Sequence, residues 1–162
     1  MAADLYCIDA SSLIRLKQDY SRKVFPGPWD KIEELIPGGR LIAPDEVFRE
    51  VEKDDVLGPW AKQHKKMFMR PDQEQIDAAK DVTGRFPSLA KPGKFGPAAD
   101  PFVVGLAHLQ SQKLSASLLE AELKCVVVTE ERPAGIPGAC KHYKLTCVSL
   151  LGLFEREGSE FR

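Results

Sequence analysis

Residues 125–128 read Cys-Val-Val-Val, an apolar run with no polar residue alternating into it. A strand with one face in water alternates, whereas a strand buried on both faces does not. Burial on both faces is the condition of a parallel sheet, whose crossovers lay helices on each side. Similar short runs stand at 5–8 (LYCI), 40–43 (RLIA) and 145–148 (LTCV), with 66–69 (KMFM) as a fifth candidate. Helix-like stretches lie between them: SSLIRLKQDY, PWDKIEELI from Pro28, PDEVFREVEK from Pro44, PDQEQIDAAKDV from Pro71, DPFVVGLAHLQSQ from Asp100, KLSASLLEAEL at 113–123 and LLGLFEREG from Leu150. Proline suits a first helical turn, and acids there complement the helix dipole. The alternation predicts an α/β fold: a three-layer α/β/α sandwich around a mostly parallel sheet of four to five strands, in one domain over residues 1–162. The Pro- and Gly-rich stretch 85–99 predicts a loop without core, and the tail EGSEFR is expected to fray.

A chain of 162 residues, 43% hydrophobic and 29% charged, can bury a proper core and is not of disordered composition. Its net charge of −1 excludes a protein that coats nucleic acid by bulk charge, but leaves room for a local basic rim. No apolar run approaches the roughly 20 residues of a membrane helix, and the opening MAADLYCIDA has no basic segment. A cytoplasmic protein without a membrane partner is expected. Cys7, Cys125 and Cys147 lie in or beside apolar runs and are read as core thiols. Cys140 and His142 form a C-x-H pair too sparse to specify zinc.

In open parallel sheets, ligands bind beyond the carboxyl ends of the strands, so acids at those ends carry the most information. Asp9 follows the first run, Glu130 and Glu131 follow CVVVT, and Asp100 follows the Pro/Gly stretch. Helical spacing places Glu46, Val47, Glu50 and Val51 on one side, so Glu50 can face inward while Glu46 serves the helix dipole. Each acid also has a bland reading. Asp9 suits a helix cap, and Asp100 before Pro101 reads as an N-cap with proline at the first helical position. Ser11, Ser12 and Thr129 are ordinary cap or turn hydroxyls. Gathered together, carboxylates repel one another, and a hard divalent cation relieves that cost.

The blocks YCIDASSLI, the Glu50 of LIAPDEVFREV, AADPFVVGLA around Asp100 and VVVTEE ending at Glu131 resemble, in order and spacing, the four acidic blocks of the PIN domain family. The resemblance runs from about Asp4 to Val148 and looks closest to PIN-like bacterial and archaeal toxins of toxin–antitoxin modules. It implies a metal-dependent endoribonuclease that cuts single-stranded RNA, leaving a 5′-phosphate and a 3′-hydroxyl. Carried over, Asp9, Glu50, Asp100 and Glu131 would be the catalytic ligands of Mg²⁺ or Mn²⁺, with Ser11 and Thr129 supporting. The family usually has Asp in the fourth block, so either Glu130 or Glu131 could serve there. Arg15, Lys17, Lys91, Lys94 and Arg132 are candidates for RNA phosphates, each with a plainer reading as a solvated cation. An antitoxin protein and a homodimer are the implied partners. Leu13, Ile14, Leu16, Val24 and Phe25 are an apolar face that would serve such contacts or, more plainly, the core. The alternative is a catalytically inactive PIN-like module that binds RNA or protein. A phosphoaspartyl hydrolase with Asp9 as nucleophile fits less well, because Ser11 stands where that chemistry commonly has a second acid.

Overall fold

Leu5–Ile8 (β1) and Cys125–Val128 (β4) run side by side in parallel, Leu5 opposite Cys125 through Ile8 opposite Val128. The structure, a computed structural model, describes residues 4–91, 98–116 and 124–161. On the other side of β1 lies Leu41–Pro44 (β2), followed by Phe68–Met69 (β3); Thr146–Val148 (β5) pairs with β4. All five strands are parallel, in the order β3-β2-β1-β4-β5. Every residue of β2 and β4 is buried, as their unalternating sequences require.

The described helices are Ala10–Asp19 (α1), Pro26–Leu35 (α2), Asp45–Val51 (α3), Leu57–Gln63 (α4), Gln73–Arg85 (α5), Asp100–Ser115 (α6), Ile136–His142 (α7) and Leu150–Arg156 (α8). Helix α6 lies against β1, β2 and β4, with α5 and α7 beside it. In the other layer α1 packs with α3, α4 and α8. The result is an α/β fold with a parallel sheet between helical layers. Helices α5 and α6 meet closely at Gly105, where a Cβ would lie 3.1 Å from the Ala79 nitrogen and 3.2 Å from Ala78. Among the described residues, no helix is long and apolar enough to cross a membrane.

Some local expectations are corrected. Helix α2 begins at Pro26 rather than Pro28. Pro44 closes β2 instead of opening α3. Helix α4 was not foreseen; it buries Leu57, Trp60 and Ala61, and Trp60 meets Trp29 edge to face at 5.9 Å. The stretch from residue 85 is not coreless: α5 reaches Arg85, and a 3-10 turn at Pro87–Ala90 buries Leu89. The segment 113–123 is no separate helix at its start, because α6 continues through Ser115; residues 117–123 lie outside the described residues. The tail does not fray at its root. Glu157 accepts hydrogen bonds from the Tyr6 hydroxyl at 2.6 Å and from Arg40 at 2.7 Å, and Phe161 packs edge-on against Phe154. Of the proposed contact face, Leu13 and Leu16 are core, while Ile14, Val24 and Phe25 are exposed.

Candidate metal centre

The strand order reverses direction between β1 and β4, which leave the sheet toward opposite edges. Ligand crevices of parallel α/β sheets form at that point, beyond the carboxyl ends of the strands. Asp9 follows β1 there, and Thr129, Glu130 and Glu131 follow β4. Asp9 is also the N-cap of α1, yet its side chain does more than cap. Oδ1 accepts the Ala10 N–H at 2.8 Å, while Oδ2 accepts the Ser11 hydroxyl at 2.8 Å and the Thr129 hydroxyl at 3.0 Å. Ser11 Oγ in turn accepts the Glu130 N–H at 2.9 Å, and Thr129 Oγ1 accepts the Glu131 N–H at 3.1 Å. Each hydroxyl therefore spends its proton on Asp9 and its lone pair on the β4–α7 connection. The pair stitches the ends of β1 and β4 together and fixes the buried carboxyl in one orientation.

Asp9, Asp100 and Glu131 each bring a carboxylate oxygen within 4.8 Å of the others. Asp100 is not the cap that the sequence suggested. Ala99 occupies that position, and Asp100 is the first residue of α6, its side chain turned to the cluster. Burial, then the charge of Asp9, then a hydrogen bond with the Glu131 side chain push the Asp100 carboxyl up to about 8. Burial chiefly raises Asp9 as well, with Glu131 adding to it and the Ser11 and Thr129 hydroxyls opposing. Glu131 is anchored from behind, because its Oε2 accepts the Ile136 N–H at 2.8 Å.

Glu50 reaches this group without joining the closest three. It accepts the Ala99 N–H at 3.3 Å, and partial covering of its carboxyl, then the charge of Asp9, raise its pKa. Glu46 lies in the first turn of α3 as expected, but is buried, and feels Arg49 and Asp45 rather than the cluster. Of the two acids in the fourth block, Glu131 joins the close group. Glu130 turns away and accepts from Ser12 Oγ at 3.1 Å and from the Leu150 N–H at 2.9 Å, with Arg15 at 3.6 Å.

The basic candidates divide. Lys17 is engaged by Asp54 at 2.6 Å and Asp55 at 3.1 Å, and Arg15 by Asp19 at 3.0 Å. Lys91 and Arg132 are exposed and carry no ion pair among the described residues. Lys94 lies outside the described residues. His142 meets Phe86 and Tyr143 edge to face, and Cys140 is buried facing Cys147, so the C-x-H pair does not converge as ligands. Two participants were missed: Gly135, whose missing side chain leaves room for Glu131, and Cys147, which lines a 270 Å³ cavity beside Thr129 and Glu131. Neither has a local sequence signal that marks it.

Three acids from separate segments meet at the switch point, and their carboxylate oxygens are a donor set that could hold a hard cation. A family model described as "Domain of unknown function (DUF4411)" matches residues 6–161. No curated protein matches the chain.

Proposed function

We propose that this chain, which belongs to the DUF4411 family, is a PIN-like endoribonuclease dependent on Mg²⁺ or Mn²⁺ and acting on single-stranded RNA. The observation that carries the reading is the convergence of Asp9, Asp100 and Glu131 within 4.8 Å at the switch point of the sheet. The donors are all carboxylate oxygens, the set that suits a hard divalent cation. Asp9, Asp100 and Glu131 would hold the ion, with Glu50 adding negative charge nearby. When bound, the ion supplies a water of lowered pKa and charge compensation at the scissile phosphate.

The chain's own residues do the rest. Ser11 and Thr129 hold Asp9 in place, and the Ile136 N–H holds Glu131. Arg132 and Lys91, both exposed, would meet substrate phosphates. The order of the four acidic blocks supports placing the protein among the toxins of toxin–antitoxin modules, in the cytoplasm, restrained by an antitoxin. The exposed Ile14, Val24 and Phe25 would then serve antitoxin or homodimer contacts.

The test is cleavage of end-labelled single-stranded RNA by the purified chain, in Mn²⁺ and in EDTA. Cleavage is expected only with metal, and slower by about 100-fold or more in Asp9→Asn. Equal degradation by both proteins would sink the reading. Binding of RNA without cleavage would indicate an inactive module instead.

A further inference from the structure

A second cavity, of about 630 Å³, opens at the opposite edge of the sheet, where chains enter β2 and β3. One wall is the turn between α2 and β2, including Ile36, Pro37 and Gly39; the other is the end of α4 and the 3-10 turn Lys65–Met67, including Lys62, Lys65 and Lys66. The first wall is rigid. The Arg40 N–H donates to the Leu35 carbonyl and the Gly39 N–H to the Ile36 carbonyl, with Gly39 at φ +72°, a Schellman closure that calls for glycine. The second wall rests on His64, whose ring lies 4.9 Å from that of Trp60.

The charge of this cavity sets it apart. Several cations elsewhere are answered: Lys17 by Asp54, Arg22 by Glu33, Lys31 and Arg40 by Glu157, Arg156 by Asp4. Lys62, Lys65 and Lys66 form no ion pair among the described residues, and no carboxylate lines the cavity. Lys65 lies 5.5 Å from the Phe48 ring centre, a contact that leaves its charge uncompensated. Three unanswered ammonium groups around one concavity set up a positive potential inside a chain whose net charge is −1. Lysine binds phosphate as a point charge, and the volume falls in the range of small-ligand sites, roughly 300–1,000 Å³. Ile36 and Pro37 give the same cavity an apolar wall for a flat ring.

We propose that this cavity is a binding site for a phosphate-bearing ligand of nucleotide size, separate from the acid cluster and independent of metal. The phosphate could belong to a free nucleotide or to the backbone of a nucleic acid, and the test separates them. The full chain is titrated by calorimetry in EDTA with adenosine diphosphate, with pyrophosphate and with an eight-nucleotide single-stranded RNA. EDTA keeps the acid cluster out of the measurement, so the result stands apart from the nuclease reading. Lys62→Glu/Lys66→Glu is compared with Lys80→Glu, an exposed lysine on α5. All three positions are solvent-facing, and unchanged melting temperatures confirm folding. The double variant is expected to bind about tenfold or more weakly, and Lys80→Glu as wild type. Loss of diphosphate binding assigns the cavity to a free nucleotide; loss confined to the oligonucleotide assigns it to a nucleic-acid backbone. No binding of any probe by the wild type, or equal binding by the double variant, overturns the site.

Discussion

Gly135 lies against Glu131 so closely that any Cβ there would run into the Glu131 carboxylate. The contact follows from a local geometry in which Glu131 folds back to accept the Ile136 N–H at the start of α7. The hydrogen bond and the empty side-chain position together aim the carboxylate at Asp9 and Asp100. Sequence comparison of the acidic blocks alone would not have selected this glycine.

Gly135→Ala therefore expels the Glu131 carboxylate from its seat without removing an acid. The rise in melting temperature on adding Mn²⁺ should shrink, as tenfold weaker binding lowers the stabilisation at a fixed excess of metal by about 1.4 kcal/mol. Thermal melts with and without Mn²⁺ check this. A full metal response in Gly135→Ala would show that Glu131 is not needed at the site.

Thr129 serves both Asp9 and the Glu131 backbone, so Thr129→Val removes a donor and an acceptor at once while keeping the shape. Both partners are near the buried cluster, and an abandoned buried polar group costs about 1–3 kcal/mol. Urea unfolding of Thr129→Val should show a loss of that size. A loss within experimental error would mean that Ser11 holds Asp9 alone.

The sheet was legible because β1 and β4 are apolar on both faces, a pattern that few other settings produce. Asp9 and Glu131 were legible because acids directly after such strands must lie at the ligand-binding edge. The choice between Glu130 and Glu131 was not, because one residue's step reverses a side chain's direction and only the tertiary partners Ser12 and Leu150 decide it. Asp100 looked like a cap because Pro101 follows it; in the fold Ala99 takes the cap position, and its N–H meets the Glu50 side chain from α3, a tertiary contact no local pattern marks. Helix α4 was invisible because LGPWAKQ is short and its anchor, Trp60, finds Trp29 far away in sequence. The tail was misread for the same reason: Glu157 is polar in sequence, but Tyr6 and Arg40 wait for it in space.

Glu157 makes the tail part of the fold. Burial alone would raise its pKa, but the bonds from Arg40 and Tyr6 outweigh it and hold the carboxyl below its ordinary range. Glu157→Ala leaves the Tyr6 hydroxyl and the Arg40 guanidinium without that acceptor, at a cost of about 1–3 kcal/mol. Urea midpoints at pH 7 measure it. Because the folded pKa is depressed, the contribution is present above the unfolded pKa and fades as pH falls through the folded one. The gap between wild type and Glu157→Ala should therefore close in acid, and a constant gap would assign the effect to packing.

Asp100 carries the opposite sign. Its carboxyl keeps its proton up to about pH 8 in the folded chain, against an ordinary value of 3.8, owing to burial, the charge of Asp9 and the hydrogen bond with Glu131. Between those two values the folded state binds more protons than the unfolded one, so stability falls as pH rises. The contribution is complete below the unfolded pKa and is lost as pH rises through about 8. Asp100→Asn cannot ionise, so in EDTA the variant should gain stability relative to wild type on going from weakly acid to mildly alkaline buffer. A divalent cation must displace the Asp100 proton, so the melting-temperature rise produced by Mn²⁺ in wild type should grow over the same pH span. That pH-dependent gain should largely vanish in Asp100→Asn. Paired urea and thermal unfolding at three pH values, with EDTA or with Mn²⁺, read both effects. If wild type and variant keep the same pH slope in EDTA, Asp100 is not the protonated member of the cluster. If they also answer Mn²⁺ equally, the three carboxylates do not share a cation.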